Sequence, residues 1–300
     1  MIQAKIIADS INEKGKRITS FVVTMPRIVL AELNTHRALS RNSASSRAIP
    51  FVKMLEMVKK TPFIPIRWMK EHTGMQGNEF FTDPAEIAQL EKAYLEGRDN
   101  AVRTAENLSS LGLTKQIVNR GLEAYMWHTV IITATEWENY FSLRAHEAAE
   151  IHIQKLAYVM LEEMNKSTPK LLQVGEWHIP FGENMGSDEE MLEVLRQLHV
   201  YPNPNNPRVI QEEINKLKIK IATARCARVS YTVVGEEGKA PNFEADSKLH
   251  DRLLSMGHLS PFEHCAQCTD SEGWSGNFQG WTQYRKMLPN ENRSDDRLKK

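Results

Sequence analysis

The sequence predicts an α+β protein, and three stretches carry this prediction. The stretches AKIIADSI (4–11) and RITSFVVTMP (17–26) are typical of strands, and the turn signal NEKGK separates them. From Thr133 to Met164, apolar residues recur at helical spacing, which is the strongest helical pattern in the chain. Strands near the N-terminus followed by long helices indicate an α+β arrangement.

The first half of the chain continues with shorter elements. A helical pattern through Ile28, Val29 and Leu33 follows the second strand, and an amphipathic helix is predicted over about 51–60. A proline-containing loop leads to Asp83-Pro84, where the aspartate is a candidate N-cap and the proline occupies the first turn. That helix is expected to end near Leu111, before a glycine.

From Thr114 to Ser167 the chain is predicted to be mostly helical. Arg144 falls on or beside the apolar face that includes Trp137, so its charge needs an acceptor there. The stretch YPNPNNP (201–207) is a break, and residues 209–232 are expected to form a helix or strand leading into a strand. Residues 243–264 are expected to form a helix that Gly257 ends, followed by a tight turn.

Charge and composition exclude some classes of function. The 38 acidic and 38 basic residues balance, so we expect no binding to nucleic acid or to a membrane surface, and any anion site must be local. No apolar run reaches the roughly 18 residues that span a bilayer, and no signal-peptide core is present at the start. Three cysteines cannot form a disulfide framework, which indicates a reducing, cytoplasmic location.

One segment concentrates cationic and hydroxyl groups. Residues 34–50, NTHRALSRNSASSRAIP, hold three arginines and four serines but no acid, and we call them the arginine loop. Guanidinium groups and hydroxyls in a concave loop are suited to a nucleotide phosphate. A solvated surface turn is the alternative interpretation.

Three separated motifs together resemble the flavin-dependent thymidylate synthases. In the arginine loop, THRALSRNSASSR is similar to that family's signature, with Ser45 eight positions after Arg37. The stretch EWENYFSLRAHEAAEIHIQKLA resembles the family's long helix. The segments ARVSY and LHDRLLSMGHLSPFEH resemble its flavin-contacting region.

The resemblance implies a fold, a reaction and a set of site residues. It implies one domain over 1–300 with a mixed or antiparallel sheet packed against long helices: 1–50 supplies strands and the arginine loop, 51–200 the helical part, and 208–300 the flavin-contacting segment. The implied reaction is reductive methylation of dUMP to dTMP with FAD, methylenetetrahydrofolate as one-carbon donor and NADPH. A homotetramer is also implied, because members of the family are tetramers with sites shared between subunits.

The residue roles follow from the matching positions. The candidate catalytic residues are Arg144, which would stabilise charge on the pyrimidine ring, and Ser45, which would donate a hydrogen bond to the substrate. The implied substrate-binding residues are Arg37, Ser45, Ser46, Arg47, Arg120 and Arg144. The implied flavin-binding residues are His36, Asn42, Asn139, His258, Ser260, Glu263 and Glu291.

The sequence also departs from the family pattern. Thr35 and Ser43 replace an arginine and a glutamate of the signature, while Ala148 and Glu150 replace a histidine and a glutamine of the helix motif. The GHLSPFEH segment normally precedes the arginine signature, so its position here predicts a circular permutation. The tail repeats part of the signature with Arg285, Asn290 and Glu291, and our hypothesis is that Glu291 supplies the carboxylate missing at Ser43.

Several alternatives remain open at this point. The same scaffold is suited to another pyrimidine deoxynucleotide, such as dCMP, or to a hydroxymethyl product. A protein that binds flavin or nucleotide without catalysis is a second alternative. The stretch HEAAEIH resembles a zinc-protease helix in which His146 and Glu150 would share a metal, but no third ligand is visible and we predict no metal. Redox or metal chemistry at Cys226, Cys265 and Cys268 is the last alternative.

Overall fold

The computed structural model describes residues 1–74, 77–229, 242–289 and 291. The strands are β1 (Gln3–Asn12), β2 (Arg17–Pro26), β3 (Ser40–Ser43), β4 (Trp127–Ala134), β5 (Lys170–Leu172), β6 (Trp177–His178), β7 (Ala266–Cys268), β8 (Trp274–Ser275), β9 (Phe278–Gln279) and β10 (Trp281–Gln283). The α-helices are α1 (Leu30–Asn34), α2 (Phe51–Lys60), α3 (Pro84–Ser110), α4 (Lys115–Val118), α5 (Glu138–Arg144), α6 (Ile151–Lys166), α7 (Asp188–Gln197), α8 (Pro207–Arg228), α9 (Phe243–Ser255) and α10 (Tyr284–Met287). The 3-10 helices are Arg27–Val29, Ser46–Ala48, Asn119–Tyr125, Gly182–Asn184 and Ser260–Glu263.

A mixed sheet of five strands organises the protein, in the order β3-β4-β2-β1-β5. The pairs β1–β2, β2–β4 and β3–β4 are antiparallel, and only the short β5 runs parallel to β1. Strand β3, which lies within the arginine loop, forms one edge and pairs Ser40 with Thr133 and Ser43 with Val130. The α+β fold with a mixed sheet is therefore confirmed.

The central strand β4 was missed by the sequence prediction. The whole stretch 114–167 was expected to be mostly helical, yet WHTVIITA pairs with β2 along its full length. Five of its last six residues are branched at Cβ and six of its eight are buried, so the run shows no alternation between apolar and polar positions. β-Branched side chains favour a pleated, packed surface, and this preference decided the conformation.

Helices cover both faces of the central strands. On one face Phe21 and Val23 of β2 pack with Trp137 and Tyr140 near α5 and with Leu156 of α6. The rings of Trp137 and Phe21 meet edge to face, with centroids 5.4 Å apart. On the other face, Val22 and Ile131 pack against Cys226 of α8.

The predicted helix from Thr133 to Met164 is two helices, α5 and α6, and the single-helix prediction was wrong. Residues 145–150 are not helical. The carboxylate of Glu150 accepts hydrogen bonds from the backbone N–H groups of His152 and Ile153, so it is the N-cap of α6. A glutamate that satisfies two free N–H groups begins a new helix at this point.

Most other predicted elements are present. The strands β1 and β2 and the helices α2 and α3 have the expected positions, and α3 begins with the Asp83 cap. Residues 207–228 form a helix, and α9 is followed by Gly257 at φ 71° as predicted. The strand expected at the end of 209–232 lies partly outside the described residues. Asn290 lies wholly outside them. No helix in the described part of the chain has the length and apolar character needed to cross a membrane.

Candidate active site

The arginine loop lies between α1 and α2, at the β3 edge of the main sheet. The Arg41 side chain holds the first half of the loop in its turn. Its Nη1 donates hydrogen bonds to the backbone oxygens of Leu33 and His36, both at 2.8 Å. Burial, followed by the nearby Arg37, lowers the pKa of Arg41, while Glu263 raises it. The loop therefore places the exposed Arg37 near a guanidinium that two backbone oxygens hold in position.

Arg144 on α5 meets His36 of the arginine loop. Arg144 Nε donates to His36 Nε2 at 2.9 Å, and Arg144 Nη2 donates to Thr35 Oγ1 at 3.2 Å. Burial and then the Arg144 charge lower the pKa of His36, and a hydrogen bond with Asn139 opposes them. A neutral His36 ring with Nε2 as acceptor matches this geometry. Three of the predicted site residues, His36, Asn139 and Arg144, thus lie together.

Tyr140 fixes the orientation of the His36 ring. The two rings meet edge to face, with centroids 5.0 Å apart and planes at 86°. Burial raises the pKa of Tyr140 well above its usual range, so its hydroxyl is protonated near neutral pH. The sequence analysis did not single out this residue, although its place next to Asn139 on the motif helix was a signal.

The C-terminal segment also reaches the arginine loop. The Ser260 hydroxyl donates to Asn42 Oδ1 at 2.9 Å, and Asn42 Nδ2 donates to the backbone oxygen of Cys226 at 2.8 Å. Gln283 Nε2 and Asn277 Nδ2 both donate to the Ser40 hydroxyl at 3.1 Å. His258 is exposed two residues before Ser260. Both ends of β3 are therefore attached to the segment predicted to be permuted.

Glu263 and Glu291 belong to one charged cluster. Arg285 donates from Nη1 to Glu263 at 2.5 Å and from Nε to Glu291 at 2.9 Å. Lys286 also pairs with Glu291, and this contact is the main cause that lowers the pKa of Glu291, with Arg285 adding to it. Glu263 is the acid of this cluster that acts electrostatically on Arg41.

The remaining predicted substrate residues are divided between surface and interior. Arg37, Ser45, Arg47 and Arg120 are exposed, whereas Ser46 is only 3% exposed and its hydroxyl donates to Glu123. Within the described ranges, no carboxylate forms an ion pair with Arg37, Arg47 or Arg120. Their charges are available to an anion.

His146 and Glu150 do not have the arrangement that the zinc-protease alternative assumed. His146 and Glu150 flank a non-helical turn, so they do not share a helix face. His146 Nδ1 accepts from the backbone N–H of Ala148, and Glu150 is bonded to His152 Nδ1 at 2.5 Å. Across the described residues, no group of three or more His, Cys, Asp or Glu side chains is placed to hold a metal ion.

The three cysteines are free and buried. Burial raises the pKa of Cys265 to about 12 and also raises the pKa of Cys226 and Cys268. A protonated, buried thiol is a poor nucleophile and a poor metal ligand. Their contacts are those of core residues.

These features define an α+β protein whose arginine-rich loop meets a helix-borne arginine at the edge of a mixed sheet. The chain belongs to the thymidylate synthase complementing protein family, whose model matches residues 17–170. The match confirms the family predicted from the sequence. It contains the arginine loop and Arg144 but not the C-terminal segment around Ser260.

The fold was also compared with solved structures. Two structures of a UMP/dUMP methylase PolB from Streptomyces cacaoi, bound with 5-Br UMP and with 5-Br dUMP, are similar over 55% of this chain at 14% identity. They are covered over 89% and 90% of their length, with TM-scores of 0.46 and 0.47. No curated protein matches the chain in sequence.

Proposed function

We propose that this protein is a flavin-dependent enzyme that methylates C5 of a pyrimidine deoxynucleotide monophosphate, with dUMP as the substrate. Family membership supports the class of reaction. The observation that carries the proposal is the 2.9 Å hydrogen bond from Arg144 to His36, which joins the two parts of the predicted site. Methylenetetrahydrofolate is the proposed one-carbon donor and NADPH the proposed reductant.

Arg144 is the proposed electrostatic catalyst. A guanidinium has five N–H donors, and His36 and Thr35 accept one each, so three remain for a ligand. A fixed cation beside the O2 edge of the pyrimidine would stabilise negative charge on the ring and make C5 more nucleophilic. Because two hydrogen bonds already orient the guanidinium, little reorganisation is needed when the ring charge develops.

The exposed groups of the arginine loop are proposed to hold the nucleotide phosphate. Arg37, Ser45 and Arg47 supply two guanidiniums and a hydroxyl, and Arg120 lies on the 3-10 helix packed against residues 46–48. Guanidinium groups bind phosphate through charge-assisted hydrogen bonds. The lack of an internal carboxylate partner for these arginines in the described ranges supports this role.

The residues present fit a flavin in part. Exposed Asn139 and His258 would hold its polar groups, and the buried His36 ring lies next to Asn139. The Asn42 amide is already bonded to Ser260 and Cys226, so Asn42 and Ser260 would shape the site. Glu263 and Glu291 would act through Arg285. When bound, reduced FAD would supply the reducing equivalents and carry the one-carbon unit.

The proposal is tested by the visible spectrum of the purified protein after addition of FAD, followed by titration with dUMP and dCMP. Flavin binding that dUMP perturbs is the expected result. A spectrum that responds only to dCMP would indicate that dCMP, and not dUMP, is the substrate. Binding without turnover would indicate a protein that is not catalytic. Arg144→Ala should abolish turnover and leave FAD bound, and full activity in this variant would remove Arg144 from the mechanism.

A further inference from the structure

A network of buried and partly buried side chains contacts the arginine loop at Ser46. The hydroxyl of Ser46 donates to Glu123 Oε1 in a short hydrogen bond. The other carboxylate oxygen of Glu123 accepts from Arg27 Nε at 3.4 Å, and both charged side chains are about one-fifth exposed, at 23% and 21%. Ser46 is therefore tied to an ion pair and directed away from the surface that exposes Ser45 and Arg47.

Arg27 is itself held in place. Its Nη1 lies 3.0 Å from His128 Nε2, and its backbone N–H donates to Met126 O at 3.0 Å. His128 is 1% exposed, and burial, followed by the Arg27 charge, lowers its pKa to about 3. The ring is neutral at physiological pH, so Nε2 accepts from the guanidinium. The guanidinium that faces Glu123 has little freedom to move.

A second anchor comes from the same 3-10 helix. Asn119 is fully buried, and its Nδ2 donates to the backbone oxygens of Ser46 at 2.8 Å and Ile49 at 2.9 Å. Asn119 and Glu123 thus fix the backbone and the side chain of one short turn. Arg120, between them in the sequence, is exposed.

We propose that Glu123 is a positioning residue, which acts through Ser46 to hold Ser45 and Arg47 beside Arg120 as a preformed site for the 5′-phosphate of a pyrimidine nucleotide. This inference rests on the proposed function. An unbraced loop of serines and arginines would lose backbone and side-chain freedom when it binds phosphate, and preorganisation removes that loss. The role assigned to Ser46 changes from direct contact with the substrate to support of its neighbours.

The test compares a ligand that has the phosphate with one that lacks it. Dissociation constants for dUMP and deoxyuridine are measured by calorimetry on the FAD-treated full-length protein, with deoxyuridine titrated to millimolar concentration. Ser46→Ala and Glu123→Ala should weaken dUMP binding about tenfold and leave deoxyuridine binding within about twofold, because only the phosphate contacts are displaced. Glu123→Gln keeps an acceptor for the Ser46 hydroxyl and should lose less than Glu123→Ala.

The control is Glu162→Gln, which removes an exposed carboxylate that pairs with Lys166 and lies outside the network. It should bind both ligands like the wild type. Unchanged dUMP affinity in Ser46→Ala and Glu123→Ala, or an equal loss for both ligands, would overturn the positioning role. A wild-type protein that binds no dUMP would instead contradict the proposed function itself.

Discussion

Asn42 and Ser260 are 218 residues apart in the chain, and the Ser260 hydroxyl donates to Asn42 Oδ1 at 2.9 Å. The bond joins the arginine loop to the C-terminal segment that the sequence analysis predicts to be permuted. The same C-terminal segment makes a second connection to the sheet. His264 Nδ1 is hydrogen-bonded to the Thr133 hydroxyl of β4, which is hydrogen-bonded to the Ser20 hydroxyl of β2. The C-terminal segment therefore packs beside β2, β3 and β4, and the circular permutation stays a prediction.

Asn42→Ala should lower the free energy of unfolding by about 1–3 kcal/mol, because the oxygen of Cys226 and the hydroxyl of Ser260 each lose a partner. Urea denaturation monitored by circular dichroism measures the change. Asn34→Ala, in the exposed part of the same loop, is the matched control and should be nearly neutral. Equal stability of the two variants would show that the Asn42 junction contributes nothing.

Arg144→Lys should lower turnover by about 10²–10³-fold, because lysine has no forked donors to satisfy His36, Thr35 and the substrate at once. The loss should appear in kcat, with FAD absorbance unchanged. Steady-state kinetics with dUMP measures it, and Lys155→Arg on α6 serves as a control for charge-preserving exchange at a distance from the loop. A lysine variant with wild-type kcat would show that only the charge matters.

Local patterns predicted those elements whose sequence signals are complete within the element. The Asp83-Pro84 start of α3 needed no tertiary information, and neither did the strands β1 and β2, whose composition is typical of strands on either side of a turn signal. The strand β4 did, because its mostly buried residues show no alternation and the stretch that follows it in the chain has a strong helical pattern.

The site was predictable to a similar extent. Resemblance selected His36 and Arg144, and the structure brings them together. The sequence does not show which serines of the loop are exposed. Ser45 is exposed and Ser46 is buried, although they are adjacent. Glu123 carries no local signal, since its role depends on the contact between its 3-10 helix and the loop.

Acid should destabilise the protein steeply. Burial lowers the pKa of His128, His178 and His264 to about 3, from 6.5. The unfolded chain binds protons that the folded protein excludes, so stability present above about pH 6.5 is lost as the pH falls towards 3. Each group contributes about 1.4 kcal/mol per pH unit, hence up to about 4 kcal/mol per unit for the three.

Urea denaturation at several pH values between 7.5 and 5 measures this slope. His264→Gln keeps a partner for Thr133 and removes one titrating group, so the slope should decrease by about 1.4 kcal/mol per pH unit. If the slope stays at its wild-type value, His264 is not buried in its neutral form.

Glu150→Ala should destabilise the protein by about 1–2 kcal/mol, because the first turn of α6 loses its cap and His152 Nδ1 loses its partner. Thermal unfolding measures this loss. Glu147→Ala, which removes an exposed glutamate from the same turn, is the control that separates the effect of the cap from the loss of a negative charge. Added zinc should shift neither midpoint, since Glu150 is used by the backbone. If zinc raised the unfolding midpoint of the wild type and of Glu147→Ala but not that of Glu150→Ala, the metal interpretation would be supported.

Glu291→Ala tests whether the tail supplies the carboxylate missing at Ser43. The Glu291 carboxylate holds Arg285, and Arg285 holds Glu263, the acid that acts on Arg41 of the arginine loop. Removing Glu291 frees one side of Arg285, so we expect flavin and dUMP to bind several-fold more weakly. Glu263→Ala should weaken them further, because Glu263 lies one step closer to the loop.

Flavin titration by absorbance and dUMP titration by calorimetry give both affinities. Glu272→Ala, an exposed acid paired with Lys14, is the control. If Glu291→Ala leaves both affinities unchanged while Glu263→Ala lowers them, the missing carboxylate is supplied by Glu263 alone, and the tail is not part of the site.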